Sequence, residues 1–414
     1  MSQSTILLAE EHAAVPFWRD IRVLRWVFQI VILALVILGV YTLAHNLVTN
    51  LEDVGLSLSF QFLSRPAGFS ISEGPYFDPR STILNAFLVG VANTLRASVV
   101  GITLATMLGT LVGIARLSRN WLVSRIALTY IEIMQNTPLL VQLFFWFTLV
   151  KALPKQQRDT IIQVPPQGFG IGPLKIPPLA YFSQRAAALP GIQSLESFHL
   201  WWPFMVGGLV VAAVAWRVRV YLKERAGHPP TGQFWWALAG LLGIAALGWL
   251  IVPGVPLRVT IPTLTGSAKI VNYEGGWVLS NNFQAVLLGL VLYTAAFIAE
   301  VVRAGIQAVP YGQIEAATAL GLPRALQLRL IILPQAMRVI IPPLINQYLN
   351  LVKNSSLAIA VAYPDLFNIS QTIGNQTGQN TQVIIMVMAA YLSISLTISL
   401  LLNIINKRMQ IVER

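Results

Sequence analysis

The chain has 414 residues, 55% hydrophobic and 11% charged, with a positive mean hydropathy; soluble domains carry about a quarter charged residues, so this balance excludes a water-soluble globular protein. There is no cysteine, which excludes a disulfide framework or a thiolate metal site, and His12, His45, His199 and His228 are too scattered in sequence to suggest a metal cluster. The formal net charge of +12 raises nucleic acid as a partner, and only the placement of the charges can decide that.

A bilayer core takes about 20 apolar residues per helix. Eight runs qualify, near 26–46, 92–115, 127–150, 201–221, 233–252, 284–305, 337–362 and 382–405. They are expected to be helical, because backbone in hydrocarbon must satisfy its own hydrogen bonds. The first follows Arg19, Arg22 and Arg25 and lacks a small-residue cleavage site, so it reads as a retained anchor. Residues 81–91 are expected to be an interfacial lead-in to the second run. With the N-terminus placed inside, the inner segments hold Arg116, Arg119, Arg125, Arg217, Arg219, Lys223, Arg225 and ten further basic residues at or beyond Arg303 or before the first run; the outer segments are nearly neutral. That is the positive-inside bias, and it accounts for the net charge without nucleic acid.

The third run contains Asn136, Thr137, Pro138 and Gln142. Pro138 removes a helix hydrogen bond and can bare carbonyls to a pathway or simply kink the helix. After it comes an outside segment, 152–200, rich in proline and glycine, then the plain apolar pair 201–252, which reads as a hairpin with Trp201, Trp202, Trp235, Trp236 and Trp249 as interface anchors. A second outside loop follows, with a strand-like stretch at 257–261. The chain therefore divides into 1–80 (N-terminus, first span and loop), 81–151 (first part of a core), 152–280 (an insertion) and 281–414 (second part of the core).

In the sixth run Glu300 and Arg303 stand three apart and can pair on one helix face, either as functional groups or as a helix-end anchor. Between runs six and seven lies Glu315-Ala316-Ala317-Thr318-Ala319-Leu320-Gly321-Leu322-Pro323-Arg324, ending in Pro334. Residues 315–320 suit a helix, Gly321 suits a C-terminal cap or close approach, Pro323 blocks continuation, Arg324 starts a new short helix and Pro334 acts as a stop. A short shaped polar element between two spans is either an ordinary connector or a docking surface. In run seven Lys353, Asn354, Ser355 and Ser356 form a polar stretch expected near mid-span, where lipid contact is costly. These groups can line a cavity, supplying donors and acceptors for a zwitterion, or hydrogen-bond between helices. No Gly-x-x-x-x-Gly-Lys-Ser/Thr phosphate loop, hydrolase triad or metal-ligand spacing occurs in the sequence.

The 315–334 segment resembles the coupling ("EAA") loop of bacterial ABC importer permeases. Its flanks, 293–313 and 347–357, and the stretch 130–142 are similar to the polar amino acid uptake branch, and the length and inserted hairpin resemble the large permease subunit of general L-amino acid transporters. This resemblance implies an all-α integral membrane protein of about eight transmembrane helices: a five-helix type I importer core, a peripheral first span and an inserted hairpin. It implies import of L-amino acids, neutral, polar or broad in range, by alternating access in the inner membrane, with both termini cytoplasmic. Glu315, Ala316, Ala317, Gly321, Arg324 and Pro334 would couple to two ATPase subunits, which would carry the ATP and magnesium; this chain would bind no cofactor or metal and have no catalytic residues. Further implied partners are a second permease, a periplasmic amino acid-binding protein and membrane lipid. Pathway candidates are Asn136, Gln142, Glu300, Arg303, Lys353, Asn354, Ser355 and Ser356. Many relatives carry Arg where this chain has Gln135, which removes any charge-pair role there, and basic amino acid permeases often carry Asp where this chain has Asn354, which favours neutral or broad substrates. A stand-alone ion-coupled transporter, whose deep carboxylates could only be Glu132 and Glu300, is the alternative; a receptor or scaffold without flux and a membrane enzyme have weaker support.

Overall fold

The computed structural model describes residues 21–53, 59–166, 170–171, 174–175, 177–227, 232–267 and 271–409. Arg19 and Arg414, which enter the charge bias, and part of the proline- and glycine-rich outside segment lie outside the described residues. The helices are α1 (Ile21–Asp53), α2 (Ile83–Arg116), α3 (Trp121–Asn136), α4 (Leu139–Lys151), α5 (Phe198–Arg225), α6 (Gln233–Ile251), α7 (Asn281–Gln307), α8 (Tyr311–Ala319), α9 (Arg324–Gln327), α10 (Leu333–Asn354), α11 (Leu366–Thr377) and α12 (Asn380–Met409). Among the described residues seven helices are long and apolar enough to cross a bilayer, and the bent pair α3–α4 makes an eighth crossing if counted as one span. The eight expected runs thus fall on observed helices.

Between helices in lipid there is no hydrophobic drive, so close packing must hold the core. α2 and α7 run parallel along their length: Arg96 lies over Phe283, Gly109 meets Ile298 and Gly113 meets Val302. A Cβ on Gly109 would sit 2.7 Å from the Ile298 side chain, and one on Gly113 2.7 Å from the Ala299 carbonyl. Glycine four residues apart is what lets the two backbones come this close. α10 packs antiparallel to both, through Leu351 against Gly101, Thr106 Oγ1 to Tyr348 OH at 2.9 Å, and Ile340 against Gly305. Leu143 of α4 closes the core against Gly289. α1 contributes little to it; Leu33 and Ile37, like the other apolar side chains of α1 that are described, stand exposed.

Residues 81–91 are not a separate lead-in. Thr82 caps α2, its Oγ1 accepting from Asn85 N at 3.3 Å, and Ile83, Ala86, Phe87 and Val89 are buried against the short turn Gln61–Ser64 and α11. The first turns of α2 are held by packing, so the helix is continuous from Ile83.

The 152–280 segment adds short strands to a mostly helical protein: β1 (Ile162–Val164), β2 (Gly170–Ile171), β3 (Leu174–Lys175), β4 (Ala180–Phe182), β5 (Ala186–Leu189), β6 (Gly191–Ser194), β7 (Leu257–Thr260), β8 (Thr263–Gly266), β9 (Val271–Glu274) and β10 (Trp277–Ser280). β1, β4, β5 and β10 form an antiparallel sheet in that order, while β2–β3, β6–β7 and β8–β9 are ribbons. β10 runs straight into α7, with Ser280 accepting from Phe283 N as the cap. α7 has 27 residues and is about 40 Å long, so the sheets sit at one end of the core and α8 at the other. The α5–α6 pair is the expected hairpin. Gly208 and Gly248 sit against Leu241 and Phe204, and β6–β7 ties its base to the sheets. Trp202, Trp235 and Trp236 are exposed as anchors should be, but Trp201 is buried within the hairpin, donating Nε1–H to Ala245 O at 3.0 Å and stacking edge-on to Trp249.

Candidate functional site

The polar element after α7 is an elbow built on a helix cap. α8 ends in a Schellman arrangement: Gly321 N donates to Thr318 O at 2.9 Å and Leu322 N to Ala317 O at 3.1 Å. This requires the residue after the cap to be left-handed, and Gly321 has φ +71°. Pro323 caps α9 and starts the second arm. Gln327, missed in the sequence, is buried between the arms and donates Nε2–H to Leu322 O at 2.7 Å and to Thr318 Oγ1 at 3.3 Å. No local signal in the sequence marks Gln327, because its burial arises only when α9 folds back on α8. Ala317 is buried inside the elbow, while Glu315, Ala316, Leu320, Gly321 and Arg324 face outward.

Pro334 does not stop a helix. From Arg324 the chain turns through a π-helical segment, Leu328–Ile332, where Leu333 N donates to Leu328 O, and Pro334 lies in the first turn of α10. The widened turn accommodates the missing proline N–H, and the whole of Arg324–Val361 is one 38-residue apolar span.

The third run is not one straight span either. α3 and α4 meet at 110°, and the polar residues at the break serve it. Pro138 leaves Met134 O without its helical donor; Gln142 Nε2 supplies one at 2.9 Å and reaches Thr137 O at 3.0 Å. Thr137 Oγ1 donates to Ile133 O and Asn136 Nδ2 to Glu132 O. Gln135 donates to Ala296 O at 3.2 Å and Tyr130 to Leu292 O at 2.7 Å, which docks the break on the middle of α7.

Arg303 Nε donates to both oxygens of Glu300, at 2.9 and 3.0 Å, and its guanidinium also reaches Gln307. This pair sits toward the elbow end of α7. Lys353–Ser356, expected near mid-span, instead mark the passage from α10 into the 3₁₀ turn Ser355–Val361 at the sheet end. Lys353 is exposed and Asn354 half-buried, while Ser355 and Ser356 donate to Val352 O and Lys353 O. The eight pathway candidates are therefore spread along α7 at three levels and do not share one pocket.

At the sheet end a polar knot, also missed in the sequence, ties the loop before α2 to the core. Glu73 pairs with Arg96 at 3.4 Å and accepts from Ser280. Asn93 donates to Glu73 O at 2.9 Å and Pro364 O at 2.8 Å. Thr94 accepts from Leu366 N at 3.0 Å, and Tyr363 donates to Asn93 O at 3.2 Å. Burial pushes the Glu73 carboxyl upward, and the Ser280 hydrogen bond and Arg96 oppose it. Asp365 caps α11, accepting from Asn368 N at 2.8 Å. Its carboxyl is fully buried, which pushes its pKa up to about 7 against its own backbone hydrogen bonds and that from Tyr391. Among the described residues no His, Cys, Asp or Glu cluster could hold a metal ion.

Residues 101–411 match the family described as binding-protein-dependent transport system inner membrane component. The chain is 43% identical, over 94% of its length and 95% of the relative's, to an Escherichia coli chain provisionally named amino-acid ABC transporter permease protein YhdX. It is 37% identical, over 94% and 92%, to the general L-amino acid transport system permease protein AapQ of Rhizobium johnstonii. It is 39% identical, over 95% and 96%, to the glutamate/glutamine/aspartate/asparagine transport system permease protein BztB of Rhodobacter capsulatus.

Proposed function

The chain belongs to the binding-protein-dependent transport system inner membrane components, and from that membership we propose that it is the permease subunit of an ATP-driven importer of L-amino acids, neutral and polar or broad in range. Its family consists of multi-span membrane permeases, not catalysts. The relatives' names support amino acids as cargo, and Asn354, rather than a carboxylate, beside Lys353 supports a substrate without net positive charge. One observation carries the mechanism: the outward-facing elbow of α8 and α9 joins α7 to a single long span. Two ATPase subunits dock there, on Glu315, Ala316, Gly321 and Arg324, with Ala317 packing the elbow from within and Pro334 passing the movement into α10. The ATPases bind the ATP and magnesium.

A second permease subunit completes the pore, and a periplasmic binding protein delivers substrate at the sheet end. Both termini lie in the cytoplasm, as the positive-inside bias requires. Nucleotide and loaded receptor bias two populations, inward- and outward-open. The 152–280 insertion is an accessory unit outside, while 81–151 and 281–414 form the transport core. Lys353, Asn354, Ser355 and Ser356 border the pathway at its outer end, and Asn136 and Gln142 shape its middle at the α3–α4 break. Glu300 and Arg303 form a helix-end pair near the elbow.

Reconstitution of the chain with its ATPase, second permease and binding protein in liposomes tests this. Uptake of labelled L-amino acids should require internal-facing ATP and survive collapse of the proton gradient. Uptake that persists without ATP and vanishes with the proton gradient would overturn it.

A further inference from the structure

α11 and α12 fold back on each other through the turn at Gly378, and between them lies a cavity of about 400 Å³ at the sheet end. It adjoins none of the pathway candidates named above. One wall carries Ser370, Gln371 and Asn375, with Asn380 opposite; Val383 and Met388 make the other side apolar. Ser370 is 2% exposed and its hydroxyl has no hydrogen-bond partner. An unpaired buried hydroxyl costs free energy that a ligand can return.

The surrounding chain is rich in amides and empty of charge. Residues 366–382 include Asn368, Gln371, Asn375, Gln376, Gln379, Asn380 and Gln382, and no Asp, Glu, Lys, Arg or His occurs from 366 to 406. Amides and hydroxyls both donate and accept. They can meet a carboxylate with N–H and O–H groups and an ammonium with oxygens, without selecting for net charge. The apolar wall receives a neutral side chain. Neutral walls also bind weakly, which suits a site that has to release its occupant onward.

We infer that this cavity is an access subsite for the α-ammonium and α-carboxylate of a neutral L-amino acid, with Ser370 as its anchor and Gln371, Asn375 and Asn380 as its adaptable contacts. The inference rests on the importer reading above and adds a place where substrate is held before the main pathway.

The absence of cysteine permits a direct test in the reconstituted complex. Asn375→Cys is labelled with a maleimide, with Gln376→Cys, one residue away and outside the cavity, as control. L-Glutamine, L-serine and L-alanine are each added, and ATP-dependent uptake of each is measured in parallel. A transported amino acid should slow labelling at 375 at least about threefold and leave 376 unchanged. Ser370→Ala should raise the half-protecting concentration about threefold to tenfold, the worth of one neutral hydrogen bond, while Ser370→Thr should restore it. If Asn375→Cys does not assemble, Asn380→Cys reports on the same cavity from the facing helix. Uptake with labelling indifferent to amino acid, or a position 375 unreactive throughout because another subunit covers it, overturns the inference. No ATP-dependent uptake of any amino acid by the unmodified complex overturns the importer reading instead.

Discussion

Replacing Gly321 with aspartate separates what the elbow needs for its own fold from what a partner needs of it. A Cβ built at Gly321 meets nothing within 4 Å in this chain. The intrachain cost is therefore only the left-handed backbone, φ +71°, about 1–2 kcal/mol for a residue with a side chain. Asparagine tolerates that conformation best and is nearly the same size, so Gly321→Asn is the matched control. If an ATPase cleft closes over this surface, the aspartate becomes an unpaired carboxylate in an interface. That costs about 3 kcal/mol or more, which weakens docking roughly 150-fold. The assay is the pair of variants in the complete complex, read for membrane insertion, ATPase retention on affinity purification and ATP-dependent uptake. Both variants should insert normally, Gly321→Asn should retain much of the transport, and Gly321→Asp should lose the ATPase and abolish transport. Equal uptake by Gly321→Asp and wild type at equal expression would refute docking at this surface.

Asn354→Asp should shift preference toward cationic amino acids by about tenfold, or 1.4 kcal/mol, in a competition-uptake profile; an unchanged profile removes this half-buried residue from the pathway. Gln142→Leu strands the Met134 and Thr137 carbonyls at the α3–α4 break and should cost about 1–3 kcal/mol, seen as a lower thermal midpoint in lipid; an unaltered midpoint would mean that Gln142 does not hold the bend. Asp365 supplies a pH signature. Its pKa in the fold, about 7, is above its ordinary 3.8, so the folded state binds the proton more tightly. Stability from this group is greatest below about pH 4, declines as pH rises, and is lowest above about 7. Asp365→Asn keeps a capping side chain and should flatten that decline; a variant whose thermal midpoint falls with pH as steeply as wild type would assign the slope elsewhere.

Much of this architecture was legible because lipid enforces simple rules. A run of apolar residues long enough to cross hydrocarbon must be a helix, so all eight runs are found, and Gly321 with Pro323 announced the elbow. The rest depends on how side chains and turns satisfy particular backbone groups once the chain is folded. The bend at Pro138 is set by Gln142 replacing a lost donor, and the sequence alone does not say that the two helices then reverse by 110°. Pro334 read as a stop because the π turn before it, which absorbs its missing N–H, has no local signature. α11 lies between the last two runs and is too short and polar to read as a span, although Asp365 before it and Gly378 after it are sound cap residues. Asn93 and Glu73 carry no local mark of their role, because it is the fold that sets them against Pro364 and Ser280. The strands of the insertion are two to four residues long, and β5–β10 and β6–β7 pair across the whole hairpin, so only Leu257–Thr260 carried a local sign of itself.

The single apolar span from Arg324 to Val361 makes the elbow the handle of a lever. Thirty-eight residues at helical rise come to about 57 Å. A rod of that length tilted by about 5° at one tip sweeps the other through about 5 Å, comparable to the width of a small side chain. Rotation imposed beside Gly321 therefore reaches Asn354 and the two serines after it as displacement, with the π turn at Leu328–Ile332 and the paired prolines Pro342 and Pro343 inside α10 as joints where part of it could be lost.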